Sequence, residues 1–415
     1  MLNEVRNRTV ASLVIEQQGD RFLGHSIIYY VSLVVIAIAL FILCYHLFYM
    51  QAIQPALYND KVIYFSDLSF HISFALNGNG YSAIFVIIGI IVRNFGYAGV
   101  AVLESLLVVF TWYFASRLIE KISGFSSILS LYVSLWLIFL TNIHLPIFDF
   151  YYKERFISQP WHNITYVGMR LFAVLFFFYF IDFYKSYLSR ISWKSYILIT
   201  LFLFLSASIK PNFFISLSAA LLLALLFDFA RDGSRVENLK KYFIAGSMVF
   251  PSCAVLYLQS RVIYPSGFTP ENADASGVTV VWFADFFHYG AWMGILKLIL
   301  CITFPAIVFI INKGKNRNFR FIGLFFLVSF FISYVFKESG PRADHGNFYW
   351  GIMCASYILF LFATSVFIKN WRDGFPKNMV LSSIYKIVCV TICLAHLYSG
   401  ISYFNIIRTG SLYFI

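Results

Sequence analysis

Residues 82–93 read Ser-Ala-Ile-Phe-Val-Ile-Ile-Gly-Ile-Ile-Val-Arg, and the fold turns on whether this stretch crosses a membrane. It is apolar but only about a dozen residues long, whereas a spanning helix needs about 20. If it crossed, every later loop would change sides. The loops settle the reading. Every second one is basic: Arg117/Lys121, Lys185/Arg190/Lys194, Arg231/Arg235/Lys240/Lys241, Lys313/Lys315/Arg317/Arg320 and Lys369/Arg372/Lys377. Lys and Arg in excess in short loops mark the cytoplasmic face. With 82–93 spanning, these loops would fall outside. With 82–93 as a re-entrant or juxtamembrane helix on the outer face, they all lie inside, together with Arg6, Arg8 and Arg21 of the N-terminus. The second arrangement is the expected one.

Working outward, apolar stretches near 26–50, 97–116, 125–145, 165–184, 195–209, 212–230, 242–262, 291–312, 321–337, 350–369 and 380–402 predict about eleven transmembrane helices. The chain is 60% hydrophobic and 12% charged, where a soluble domain carries about a quarter charged residues. A transmembrane β-barrel would instead show alternating segments of roughly ten residues. The expectation is an all-α polytopic membrane protein, a single integral domain over 1–415. Residues 1–25 form a cytoplasmic segment without a cleavable signal, and 51–96 a first outer loop with juxtamembrane helices. The net charge of +12 reads as inward anchoring charge against anionic lipid, with no nucleic-acid partner. Cys44, Cys253, Cys301, Cys354, Cys389 and Cys393 all lie in apolar segments, which predicts neither a disulfide framework nor a metal cluster. No internal repeat is evident, and 263–277 reads as a loop from its Pro, Gly, Asn and Asp content.

The unusual polar residues fall in the other loops. Residues 66–76, Ser-Asp-Leu-Ser-Phe-His-Ile-Ser-Phe-Ala-Leu, read as an interfacial helix capped by Ser66 and stopped by Asn77-Gly78-Asn79-Gly80. Asp67 and His71 are four apart and share a face. A carboxylate beside an imidazole near a low-dielectric surface suits a general base. The pair could instead contribute to a divalent metal site, or be the solvated face of a surface helix. A second cluster, Asp149 to Asn163, holds Lys153 and Arg155 for phosphate, and Trp161, His162 and Asn163 for sugar faces and hydroxyls. An aromatic belt with snorkelling cations would explain Tyr151, Tyr152 and Trp161 well, and His162-Asn163 less well. Lys210-Pro211-Asn212 places a lysine at an outer helix end, against the positive-inside bias, so it either meets a phosphate or snorkels. The segment 337–350 gathers Glu338, Arg342, His345 and Asn347 around two glycines and a proline. Arg342 there could clamp a phosphate with its planar fork, or the segment is a solvated hairpin. Arg170 and Lys297 lie inside predicted spans near their outer ends, and an outward-opening cavity would account for both.

This layout resembles the GT-C superfamily of integral membrane glycosyltransferases. Ser66-Asp67-Leu68-Ser69-Phe70-His71 stands where that family has a first-loop acidic motif. Trp161-His162-Asn163 and Arg342-Ala343-Asp344-His345-Gly346-Asn347-Phe348 are similar to segments of bacterial members that act on envelope polysaccharides. The resemblance covers the layout of the whole chain through short motifs. Where the family often has two first-loop acids, this chain has Asp67 and His71. The resemblance implies transfer of a sugar from a polyprenyl-phosphate donor to a glycan acceptor, on the periplasmic face of a bacterial inner membrane. Asp67 would be the base, with His71 beside it. Lys153, Arg155, Lys210 and Arg342 would hold phosphate, and Trp161, His162, Asn163, Glu338, His345 and Asn347 would contact sugar or acceptor. No cofactor is assigned, and a divalent metal is left open. Two alternatives stand beside it: a polysaccharide polymerase using polyprenyl-pyrophosphate repeats, and a transporter of lipid-linked glycans.

Overall fold

The computed structural model describes residues 27–53, 64, 66–78, 80–144, 161–264, 276–288, 290–312, 314–343 and 346–409. In chain order the elements are α1 (Ile27–Ile53), α2 (Leu68–Leu76), α3 (Ala83–Ser123), α4 (Ser127–Phe139), α5 (Ile164–Ser186), α6 (Trp193–Ile209) and α7 (Asn212–Arg231). They continue as α8 (Leu239–Ser247), α9 (Phe250–Ile263), β1 (Gly277–Val280), α10 (Ala291–Ile311), α11 (Arg317–Val335), β2 (Phe336–Ser339), α12 (Tyr349–Arg372) and α13 (Met379–Thr409). Counting α8 and α9 as one, nine helices among the described residues are long and apolar enough to cross a membrane, and α4 and α6 are shorter apolar helices. The chain is a multi-pass helical membrane protein.

Burial ranks the helices. The apolar window of α12 is 100% buried within the protein and that of α5 83%, against 22% for α1 and α13. Helices α5 and α12 are therefore the central posts, and the outer helices present Ile, Leu and Val to lipid. Aromatic rings fill the centre: Phe177 meets Phe213, Phe325 and Phe362 at 5.9–6.0 Å between centroids. Such edge and tilted pairs add to the burial of large apolar surface.

Helix α3 contains the stretch on which the topology turned. Its 41 residues would extend about 60 Å at 1.5 Å per residue, twice a hydrocarbon core. It cannot run straight through, and it breaks at Gly96, where φ 63° and ψ −162° suit only a residue without a Cβ. Before the break, Ser82 Oγ donates to Ile209 O at 2.6 Å and Arg93 Nη2 donates to Leu76 O at 3.1 Å. Both ends of 83–95 are thus held at one end of the bundle. There Ile84, Phe85 and Ile88 pack on Leu68, Ile72 and Ala75 of α2. After Gly96 the helix runs to the opposite end, where Arg117 pairs with Glu120 and Lys121 with Asp182. Arg317 pairs with Asp228 and Arg372 donates to Gly124 O at that same end. The basic loops gather there.

Four local features depart from the sequence expectation. Helix α4 stops at Phe139 instead of reaching 145. The extended residues that follow bond sideways, Ile143 N to Leu300 O and His144 N to Ser399 Oγ. The expected helix 242–262 is broken between Ser247 and Phe250, because Pro251 lacks the N–H that would have bonded Ser247 O. The cap position of α2 is Asp67 and not Ser66, and the Asp67 side chain makes no capping bond. Ser66 Oγ instead accepts from Leu68 N and donates to His162 O, which leaves the Asp67 carboxylate to point elsewhere. Finally, β1 and β2 pair antiparallel with Val278 opposite Glu338 and Thr279 opposite Lys337. The sequence reading had no strand there.

Candidate functional site

The site is assembled from helix ends. Asn163 is the N-cap of α5, the position where a side-chain oxygen satisfies an otherwise unpaired N–H. Its Oδ1 accepts from Tyr166 N at 3.0 Å and from Thr165 Oγ1 at 2.5 Å. That fixes the amide, so Nδ2 points the other way and donates to Asp67 Oδ2 at 2.8 Å. Asp67 N donates to His162 O, tying the start of α2 to the start of α5. One turn along α2, His71 Nε2 lies 3.6 Å from Asp67 Oδ2, so the predicted shared face is present. Among the described residues, Asp67 Oδ1 and His71 Nδ1 are buried without a hydrogen-bond partner. Burial works against the Asp67 charge, but the hydrogen bond from His71, the nearby His162 and His71 imidazoles and the Asn163 amide outweigh it and hold the carboxyl below its usual range.

Lys210 closes α6 and is buried between α6 and α7. Its Nζ donates to Thr165 Oγ1 at 2.9 Å and stands 4.3 Å from the Trp350 ring centroid, a cation–π contact that offsets part of its desolvation. Burial, the largest influence, pushes the ammonium down to about 7, with Asp67 and Glu338 opposing and Arg342 assisting.

Glu338 sits in β2, buried. It accepts from Tyr264 OH at 2.7 Å and Arg342 Nε at 2.8 Å on one oxygen, and from Asn347 Nδ2 on the other. Both its oxygens are therefore committed. It fastens the end of α9 to the segment leading into α12 and holds Arg342 in place. Burial acts against the Arg342 charge, but Glu338 overrides it and raises its pKa above the ordinary guanidinium value. Asn347 O accepts from Asn212 Nδ2 at 2.6 Å, which joins this segment to α7.

Two cavities meet among these groups. One, of about 490 Å³, is walled by membrane helices through Ile209, Ile215, Leu256, Ile263 and Ile332. The other, of about 380 Å³, holds Asp67, His71, Phe70, Phe74 and Trp350. Lys210, Arg342, Thr165, Asn347, Tyr81 and Phe85 line both. The first volume lies within the ~300–1,000 Å³ of ligand clefts. The arrangement can hold a lipid chain along the first cavity, an anionic group at its junction with the second, and a hydroxyl beside Asp67.

The sequence-predicted residues thus divide. Asp67, His71, Asn163, Lys210, Glu338, Arg342 and Asn347 come together. Trp161 does not line either cavity: it is buried against Phe139 and Phe404 at 5.7 and 5.2 Å. His162 lies behind the site, with Nδ1 3.2 Å from Tyr403 OH and its ring 5.8 Å from Trp350. Lys153, Arg155 and His345 lie outside the described residues. Arg170 is buried away from both cavities, with its guanidinium 5.1 Å from the Tyr357 ring and 5.7 Å from the Tyr166 ring, and Lys297 is half-buried in α10. Neither lines either of these two cavities. Thr165, Trp350, Tyr81 and Tyr264 are site residues that the sequence reading passed over. The Asn163-Ile164-Thr165 start of α5 was a readable N-cap signal for the first. For a metal, Asp67 and His71 offer two donors, and among the described residues no three His, Cys, Asp or Glu side chains are grouped to hold an ion.

Comparison of the chain with protein-family models, curated proteins and solved structures finds no match.

Proposed function

We propose that the chain is a membrane glycosyltransferase that moves a sugar from a polyprenyl-phosphate carrier to a cell-envelope glycan at the outer face of a bacterial inner membrane. One observation carries the reading: a cavity with lipid-like walls and a cavity containing a carboxylate share two cations, Lys210 and Arg342. A prenyl chain fits the first, its phosphate the junction, and the acceptor sugar the second, where Phe70 offers an exposed ring face. The basic loops, which lie at the end opposite to the site, support the outer side.

In the proposed reaction the acceptor hydroxyl oxygen attacks the anomeric carbon. The bond from that carbon to the phosphate oxygen breaks, and its electron pair stays on the phosphate. The hydroxyl proton passes to the Asp67 carboxylate, which lines the second cavity. Charge grows on the leaving phosphate, and cations already in place there lower the barrier. Attack from the face opposite the phosphate inverts the anomeric centre.

The test is purified protein with a polyprenyl-phosphate sugar and an acceptor glycan, the product weighed by mass spectrometry. A single-sugar increment supports the reading. Chain extension from polyprenyl-pyrophosphate repeats, with no single-sugar increment from any donor tried, would replace it with a polymerase. Translocation without any new glycosidic bond would replace it with a transporter.

A further inference from the structure

Asn163 was expected to contact sugar or acceptor, yet its amide is fully engaged by the protein. Oδ1 takes Tyr166 N and Thr165 Oγ1, and Nδ2 serves Asp67. Thr165 in turn accepts from Lys210 Nζ. The result is one directed chain: Lys210 Nζ to Thr165 Oγ1, Thr165 Oγ1 to Asn163 Oδ1, Asn163 Nδ2 to Asp67 Oδ2. Every member donates onward toward the carboxylate, the arrangement in which successive bonds polarise one another. It links the group placed at the cavity junction to the group placed in the acceptor cavity. It also holds the carboxylate by Oδ2, while Oδ1 is buried in the protein.

The surroundings make this more than a helix cap. Capping α5 needs only the bond from Tyr166 N. The Thr165 hydroxyl adds nothing to that bond, and a valine would fill the same space at this first turn. What the hydroxyl does is lock the amide: with Thr165 and Tyr166 both aimed at Oδ1, a flipped Asn163 would bring Nδ2 against two donors. Asn163 and Thr165 are buried, so water has little access to satisfy a flipped amide, and an unmet buried donor costs about 1–3 kcal/mol.

Resting on the glycosyltransferase reading, we propose that Thr165 is a positioning residue: through Asn163 it holds the Asp67 carboxylate in place for the acceptor hydroxyl, and it ties that geometry to the phosphate-holding Lys210. Its role is in the transfer step and not in donor affinity.

The experiment compares Thr165→Val and Thr165→Ser with the wild type in detergent, recording kcat, donor KM and the melting midpoint. A misplacement of about 1 Å at a reacting group costs on the order of 100-fold. Thr165→Val is therefore expected to lower kcat about 10- to 100-fold, with donor KM changed less than about threefold and the melting midpoint near that of the wild type. Thr165→Ser keeps the hydroxyl and is expected to restore kcat to within about threefold. Equal kcat in Thr165→Val and wild type overturns the proposal. So does equal impairment in the valine and serine variants, which would mean the hydroxyl is not the agent. A raised donor KM with unchanged kcat would make Thr165 a direct phosphate contact instead. Should Thr165→Val fail to fold, Asn163→Asp decides the matter. It keeps the capping oxygen and removes the Nδ2 donor, so retention of full kcat there refutes the chain. Failure of the glycosyltransferase reading is separately visible, because the wild type would then make no product at all.

Discussion

Asp67→Asn exchanges one carboxylate oxygen for an amide nitrogen at nearly constant shape. The structure says which contacts survive. Asn163 Nδ2 can still donate to the amide oxygen in place of Oδ2, and the backbone bond from residue 67 to His162 O is untouched. The side chain is then neutral, and neither its delocalised amide nitrogen nor its carbonyl oxygen is basic enough to take the proton. A hydrogen bond to a charged group is worth about 1 kcal/mol more than a neutral one. The half-buried His71 pair at 3.6 Å adds about 0–1 kcal/mol. The folding loss at neutral pH is therefore about 1–2 kcal/mol. It should vanish in acid. The Asp67 carboxyl is held below its ordinary value in the folded protein, so its contribution is full above the unfolded pKa of about 4 and is lost as pH falls through the folded value. The catalytic loss is of a different size. General-base catalysis is worth about 10²–10⁴-fold, and a thousandfold is about 4 kcal/mol of barrier. The assay is single-turnover transfer by purified protein, with mass analysis of the glycan and a melting curve on the same sample. A variant that transfers at more than a tenth of the wild-type rate would refute Asp67 as the base. Glu338 could not take over without releasing Tyr264, Arg342 and Asn347.

Lys210 sets a pH dependence. Its ammonium is pushed down to about 7, so the free site loses its cation as pH rises through that value, and kcat/KM for the donor should fall on the alkaline side; Lys210→Arg, charged throughout, should flatten that limb. Arg342→Lys keeps the charge but loses the planar fork, and with it the Nε bond to Glu338; donor KM should rise about tenfold, by roughly 1.4 kcal/mol, as a steady-state assay would show. Cysteine labelling in intact cells should reach position 343 from outside, and positions 190, 236, 316 and 374 only after the inner face is opened; the reverse pattern would place the site on the cytoplasmic side.

The fold was legible wherever composition or charge repeats, because a membrane imposes one rule on every span. The short stretch 82–93 and the basic loops could be read together for that reason. The break at Gly96 was not legible, since a glycine in an apolar run is compatible with a continuous helix. The pairing of β1 with β2 joins four-residue strands from distant segments, and nothing local announces it. The site divides in the same way. Asp67, Lys210, Glu338 and Arg342 stood out as charges where the membrane disfavours them. Their partnerships did not, because a sequence names residue types and not distances: Glu338 is a structural fastener of Arg342, and Asn163 serves Asp67. Trp161 and Trp350 show the limit most directly. Both are aromatics at the membrane edge, but Trp161 fills a gap between Phe139 and Phe404, while Trp350 meets the Lys210 ammonium.

The packing beneath the site bears on the choice between chemistry and transport. Directly inward of Lys210, the Trp350 and Tyr166 rings lie 5.8 Å apart. Phe176 then meets Phe213 at 5.6 Å, and Phe180 meets Phe321 at 4.9 Å. These rings belong to the most buried helices of the bundle, with α12 enclosed along its whole apolar window. A polar glycan moving along that axis would have to part a core packed to interior density, at the cost of the apolar burial that holds the helices together. On the proposed reading a prenyl chain has no such core to part, since it lies along the apolar wall of Ile209, Ile215, Leu256, Ile263 and Ile332. Only its phosphate then reaches Lys210 and Arg342. The acceptor reaches Asp67 from the other cavity, and the two substrates meet where those cavities join.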